Sequence, residues 1–189
     1  LFLWKDTEGY RQIWAEAPDS MIRFNDGLAA GFAEGLRQYT ETEGWQSINF
    51  ADADLMTAVD LDGDGVDDMA AAFSGYGLCI KQRNSAWQKI EDIIPEAMVR
   101  FNNGVAIDAG AAGLRVYRAG NGWTTLSTSD PDQLVTVDVD GDAIGELIIS
   151  FIGYGIYVYD ENTGMTRILT STPEGMIAFN QSVGVDLGT

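Results

Sequence analysis

The stretch Gly113-Leu114-Arg115-Val116-Tyr117-Arg118-Ala119-Gly120-Asn121-Gly122-Trp123 decides the fold. Leu114 and Val116 alternate with Arg115 and Tyr117, the period of two that a strand requires. Arg118-Ala119-Gly120-Asn121-Gly122 is a glycine-rich turn, and Trp123 lies in a second strand pattern, Gly122–Thr128. Gln133–Asp138 and Gly145–Phe151 read as two more short strands. This text recurs through the chain in one register. Gly35-Leu36, Gly77-Leu78, Gly113-Leu114 and Gly155-Ile156 open a unit, and ten residues after each Gly stands Trp45, Trp87, Trp123 or Met165. Tyr10 holds that place in the first unit. Three residues further comes Ile13, Ile48, Ile90, Leu126 or Ile168. Two more columns follow, Pro18, Ala53, Pro95, Pro131, Pro173 and Met21, Met56, Met98, Leu134, Met176.

The units are 1–34, 35–76, 77–112, 113–154 and 155–189, so the second and fourth, at 42 residues, exceed the others by six to eight. Four short strands in about 40 residues, repeated, is the pattern of propeller blades. One small sheet cannot bury both faces, whereas sheets stacked around an axis bury them against one another. The expectation is all-β: a single β-propeller domain of four-stranded blades over residues 1–189. Its five repeats form either a closed five-bladed ring or a fragment of a larger propeller.

Composition narrows the functions. Lys and Arg total 11 against 29 Asp and Glu, a net charge of −18, and there is no histidine. Such a chain repels phosphate, so nucleic acid is not an expected partner, and anionic membrane surfaces are disfavoured. Imidazole chemistry is excluded within the chain. The apolar run Leu147–Tyr159 is broken by Gly153 and Gly155 and is too short to span a bilayer, so membrane insertion is not expected. The first residue is Leu1 rather than Met, so a processed piece of a longer chain is expected, with further propeller units or domains possible beyond it.

Asp60-Leu61-Asp62-Gly63-Asp64-Gly65-Val66-Asp67-Asp68 carries carboxylates at loop positions 1, 3, 5 and 9 and Gly at 6. Alternating side chains can converge on one point, and the Val66 carbonyl at position 7 can join them. Converging carboxylates repel unless a cation neutralises them, and all-oxygen donors favour a hard ion. The ligand set is Asp60, Asp62, Asp64, Val66 and Asp68. A second set is Asp138, Asp140, Asp142, Ile144 and Glu146, with Ala143 straining the turn at position 6. Calcium, up to two ions, is the expected cofactor, with a structural role. Neither loop is an EF-hand, since position 12 is Ala71 or Ile149. The other units carry Asn25, Asn102 and Asn180 in shorter loops that are expected to hold no metal.

Val59–Asp68 and, less fully, Val137–Glu146 resemble the FG-GAP/VCBS repeats of integrin-like β-propellers, and Phe73-Ser74-Gly75 and Phe151-Ile152-Gly153 are similar to the Phe-x-Gly stretch after the loop. That resemblance implies calcium in the Asp-rich loops and a role in adhesion, ligand binding or assembly outside the cytoplasm. A looser architectural similarity is to five-bladed tachylectin-type lectins.

The Trp column reads as packing between blades, since its Ile partner is equally regular. Tyr39, Tyr117, Tyr159 and Trp4 form a second aromatic column that could present polar tips to a ligand. The expected function is non-enzymatic binding of a glycan or protein ligand, located extracellularly, at the cell surface or in the periplasm. The alternative is a purely structural module of a larger secreted protein. For a glycosidase the only carboxylate pair suggested is Asp108 and Asp186. Cys79 shares its column with Phe2, Arg37, Arg115 and Tyr157, which reads as a tolerant surface position.

Overall fold

The computed structural model describes residues 1–83 and 85–188. These described residues form twenty strands in six antiparallel sheets. The first is the pair β1 (Phe2–Lys5) and β2 (Gly9–Gln12). Four complete sheets follow. They are β3 (Ser20–Phe24), β4 (Gly27–Phe32), β5 (Gly35–Thr40), β6 (Gly44–Asn49); β7 (Leu55–Val59), β8 (Asp68–Phe73), β9 (Gly77–Lys81), β10 (Gln88–Glu91); β11 (Ala97–Phe101), β12 (Gly104–Asp108), β13 (Leu114–Arg118), β14 (Gly122–Ser127); and β15 (Gln133–Val137), β16 (Glu146–Phe151), β17 (Gly155–Asp160), β18 (Gly164–Leu169). The last is the pair β19 (Gly175–Phe179) and β20 (Ser182–Asp186). Within every complete sheet the strands lie in chain order.

The expected strands are therefore present, but they are grouped differently. Each sequence unit supplies the last two strands of one sheet and the first two of the next. The five units 1–34, 35–76, 77–112, 113–154 and 155–189 thus become four complete sheets flanked by two half-sheets, and among the described residues no ladder joins β1–β2 to β19–β20. A repeat fixes a period but not a phase. The unit boundary at Gly35 falls inside a two-residue hairpin turn, where Phe32 pairs with Gly35. The true crossing between sheets is the longer Phe50–Asp54 connection.

The opening Gly has a steric cause. Gly155 has φ 91°, and a Cβ there would lie 2.0 Å from the Leu169 carbonyl oxygen. The partner strand crowds it because the ladder slips by one residue between Ile156 and Tyr157.

The first strands β3, β7, β11, β15 and β19 contact one another in succession along the axis. The second strands carry the core, and β8, β12 and β16 are buried at every residue. Ala70, Ala71 and Ala72 in β8 keep both faces flat for neighbouring sheets. One core cluster joins Val59, Leu78 and Ile80 to Val105 and Ile107 of the next sheet. Another joins Phe101, Leu114 and Val116 to Leu147 and Ile149.

The Trp and Ile columns meet across the first three junctions, while Met165 stands in place of the indole at the fourth. The indole N–H of Trp45 donates to the Ile13 carbonyl (2.7 Å), that of Trp87 to Ile48 (3.3 Å) and that of Trp123 to Ile90 (3.0 Å). Each tryptophan thus fills its own sheet's flank and satisfies its one donor on the preceding sheet.

Cys79 is not a surface thiol. It lies in β9 at 1% exposure, packed with Ala71 and Phe73, and burial pushes its thiol pKa up. The column misleads because its arginines are half-buried as well: Arg37 lies over the Trp14 ring and Arg115 over Trp123.

Trp123→Phe removes the donor from Ile90 while keeping a ring in place. It is expected to destabilise the fold by about 1–3 kcal/mol, read as a lowered midpoint in urea.

Candidate metal centre

All five first-to-second-strand connections lie at one end of the stack. Three are two-residue turns, at Asn25, Asn102 and Asn180, each with its first residue left-handed (φ 51°, 52° and 51°). The other two are the acidic loops, between β7 and β8 and between β15 and β16. Those loops are six residues longer than the turns, which accounts for the length alternation of the sequence units.

The two loops fold alike. Asp60 Oδ1 accepts from the Gly63 N–H (2.7 Å) and its Oδ2 from Gly65 (2.9 Å). Asp138 accepts likewise from Gly141 (2.7 Å) and Ala143 (3.1 Å). Asp62 and Asp140 each accept from the amide two residues on, as do Asp64 and Asp142. At position 9 the acid opens the second strand. Asp68 accepts from Leu61 and Arg83, and Glu146 Oε2 accepts from Val139 (2.7 Å).

Oxygens of Asp60, Asp62 and Asp68 lie within 4.8 Å of one another, and so do those of Asp138, Asp140 and Glu146. Positions 1, 3 and 9 are therefore brought together. Asp64 and Asp142 stand outside these clusters, each bonded to the amide of Val66 or Ile144, the residues whose carbonyls were the expected position-7 ligands. Burial raises the carboxyl pKa of Asp68 and of Glu146, and the neighbouring loop aspartates add to it. Glu146 Oε1 is buried without a hydrogen-bond partner. A buried acceptor in that condition is costly, and a cation relieves it. The donor set is entirely oxygen, so the residues fit a hard divalent ion such as calcium.

Both loops border one cavity of about 980 Å³ at this end of the axis. Asp60 and Gly63 flank it on one side and Asp138, Ala143 and Gly145 on the other, with Thr57, Val99, Val135 and Ala178 of the axial strands between.

No family model matches the chain, and no curated protein sequence matches it. Solved structures do. The structure of BBS1N in complex with ARL6DN, soaked with mercury, superposes with a TM-score of 0.68 at 12% identity, over 97% of this chain and 67% of that one. The chain has a β-propeller fold. A lead-soaked structure of the same complex gives a TM-score of 0.47 at 11% identity, over 97% of this chain and 79% of that one. Among the described residues of this propeller no helix is long and apolar enough to cross a membrane.

The second aromatic column does not form a ring of open platforms. Tyr39 is buried against Trp45, with its hydroxyl accepting from Arg11 (2.7 Å). Tyr117 is buried against Trp123, and Tyr159 is half-buried near Phe101. Only Trp4 is largely exposed, on β1. These side chains fill space between sheets, where alternation along the strand points them.

Sequence reasoning missed the opposite end of the propeller. There Asp108, at 2% exposure, shares a 4.8 Å cluster with Glu96 and Asp130. Asp186, its expected partner, is exposed two sheets away, on β20. The signal was an Asp-x-Asp in the connection before each metal-loop sheet, Asp52-Ala53-Asp54 and Asp130-Pro131-Asp132. Burial first, then the charges of Asp130 and Glu96, push the Asp108 pKa up to about 6 against the favourable Gly110 N–H bond.

Two predictions rest on this geometry. Between the ordinary value of 3.8 and about 6 the folded state binds more protons at Asp108 than the unfolded chain. That contribution therefore lowers stability as pH rises through this window. Asp108→Asn keeps an acceptor for Gly110 and should flatten the decline, gaining about 2 kcal/mol at pH 7 in denaturant titrations. At position 6 of the second loop, Ala143 adopts φ 71° where the first loop has Gly65 at 82°. Ala143→Gly should therefore stabilise the chain by about 1 kcal/mol in the same assay.

Proposed function

We propose that this chain is a non-enzymatic, calcium-stabilised β-propeller that binds a macromolecular ligand, with protein favoured over glycan. The observation that carries the reading is the pair of like-folded acidic loops on one cavity, one of them with a buried carboxylate oxygen lacking any partner. Calcium in each loop would tie β7 to β8 and β15 to β16 and hold the rim of the axial opening in one shape. A rigid rim of loops on a sheet scaffold suits binding of a partner at that end. The carboxylates of the loops would hold the ion; no bond-making step is assigned to it.

Protein is favoured over glycan because Tyr39 and Tyr117, two of the expected ligand-facing residues, are buried. The BBS1N structures, of a chain with this fold, contain a protein partner. The family resemblance of the loops supports a place outside the cytoplasm, at the cell surface or in the periplasm. The non-enzymatic reading is supported by the separation of Asp108 from Asp186.

Thermal unfolding with calcium and with EDTA tests the metal. Calcium at about one hundred times its dissociation constant should add about 2.7 kcal/mol per loop and raise the midpoint by several degrees. Asp62→Ala should abolish the share of the first loop. An unchanged midpoint in the parent chain would sink the reading. Calcium-dependent binding to one sugar class on a glycan array would reverse the preference for protein.

A further inference from the structure

The turn asparagines of the metal-free sheets reach across to the acidic loops of the sheets that follow. Asn25 Oδ1 accepts from the Asp67 N–H (2.8 Å), and its Nδ2 donates to the Asp67 carbonyl (3.1 Å). Asn102 does the same to Gly145, at 2.8 and 3.2 Å. Asp67 and Gly145 both occupy position 8 of their loops. The contacts span 42 and 43 residues, so they are tertiary contacts between sheets and belong to neither loop's own turn pattern.

The N–H of position 8 belongs to the same peptide unit as the C=O of position 7. That unit is planar and trans, so fixing the N–H fixes the direction of the carbonyl. The carbonyls concerned are those of Val66 and Ile144, the ligands expected at position 7. A hydrogen bond accepted from the N–H also polarises the carbonyl of the same unit and makes it the better donor to a cation. The left-handed φ of Asn25 and Asn102 sets the side chain at the turn from which it reaches the neighbour; Asn tolerates that conformation.

We propose that Asn102, and Asn25 at the equivalent place, are positioning residues for the metal loop of the following blade, each orienting the position-7 carbonyl by clamping the peptide that bears it. The inference rests on the metal reading above. The metal-free turns would thus serve the neighbouring metal loops without holding an ion themselves. By linkage, an ion that orders the loop also strengthens the clamp and so the junction between the two blades.

Calcium titration by calorimetry tests this on the full chain carrying Asp62→Ala, which leaves only the Asp138 loop to bind. Asn102→Gly removes the side chain without straining the turn and should weaken calcium about tenfold, the usual cost of losing a group that orients a ligand. Asn180→Gly, the same change in the turn of β19 and β20, should leave the affinity unchanged. Affinity within twofold of the parent in Asn102→Gly would overturn the proposal, even if its midpoint in EDTA fell, because that is the signature of a merely structural contact. Should Asn102→Gly fail to fold, Asn25→Gly in a chain carrying Asp140→Ala, which leaves only the Asp60 loop to bind, takes its place, and an affinity within twofold of that parent would overturn the proposal. A parent that binds no calcium would take down the metal reading and this inference together.

Discussion

Everything in this propeller depends on sheets stacking face to face, and the indole N–H of one sheet bonded to the isoleucine carbonyl of the sheet before it shows how that stacking is held in register. Trp45, Trp87 and Trp123 each combine a large apolar surface with a single donor. The surface fills the flank of the junction, and the donor admits only one offset between neighbours. With that offset set, the buried second strands β8, β12 and β16 pack against neighbouring sheets on both faces, β8 through a run of alanines. The first strands then lie side by side along the axis, and their connections gather at one end.

That gathering explains why the acidic loops converge on a common cavity although 78 positions separate Asp60 from Asp138. Each loop is a six-residue insertion in a turn, and the turn's place at the rim is dictated by the sheet. The loops share their internal hydrogen bonds almost donor for donor, so their shape follows from the Asp spacing. Where they differ, at Gly65 against Ala143, the backbone still takes the left-handed conformation, and the second loop bears the strain.

Much of this was legible in the residues. The strand text of Gly113–Phe151 matches β13 to β16 nearly end for end, and the Asp spacing picked out the carboxylates at loop positions 1, 3 and 9 that cluster, along with Asp64 and Asp142, which do not. Phase was not legible, because a repeat reads the same wherever it is cut; only the hydrogen-bond ladder says which strands share a sheet. The tyrosine column looked like a surface because Tyr39 and Tyr117 carry hydroxyls, yet stacking turns that face of the strand inward. Cys79 was misread for the opposite reason, since Arg37 and Arg115 in its column bury their stems and lie on tryptophan rings. The reach of Asn102 to Gly145 was invisible, because it joins residues that no local pattern relates.

Only junctions in which a short-turn sheet precedes a metal-loop sheet carry the asparagine clamp at one end, and at their other end they hold a carboxylate pressed against the earlier sheet. Asp52 Oδ1 would lie 2.6 Å from a Cβ on Gly31, and Asp130 crowds Asp108, the residue at the position equivalent to Gly31. At the far rim of these junctions like charges face each other, Asp52 with Asp19 and Asp130 with Asp108 and Glu96, and so act against the clamp at the loop rim. The alternation in loop length is thus also an alternation in the junctions between blades.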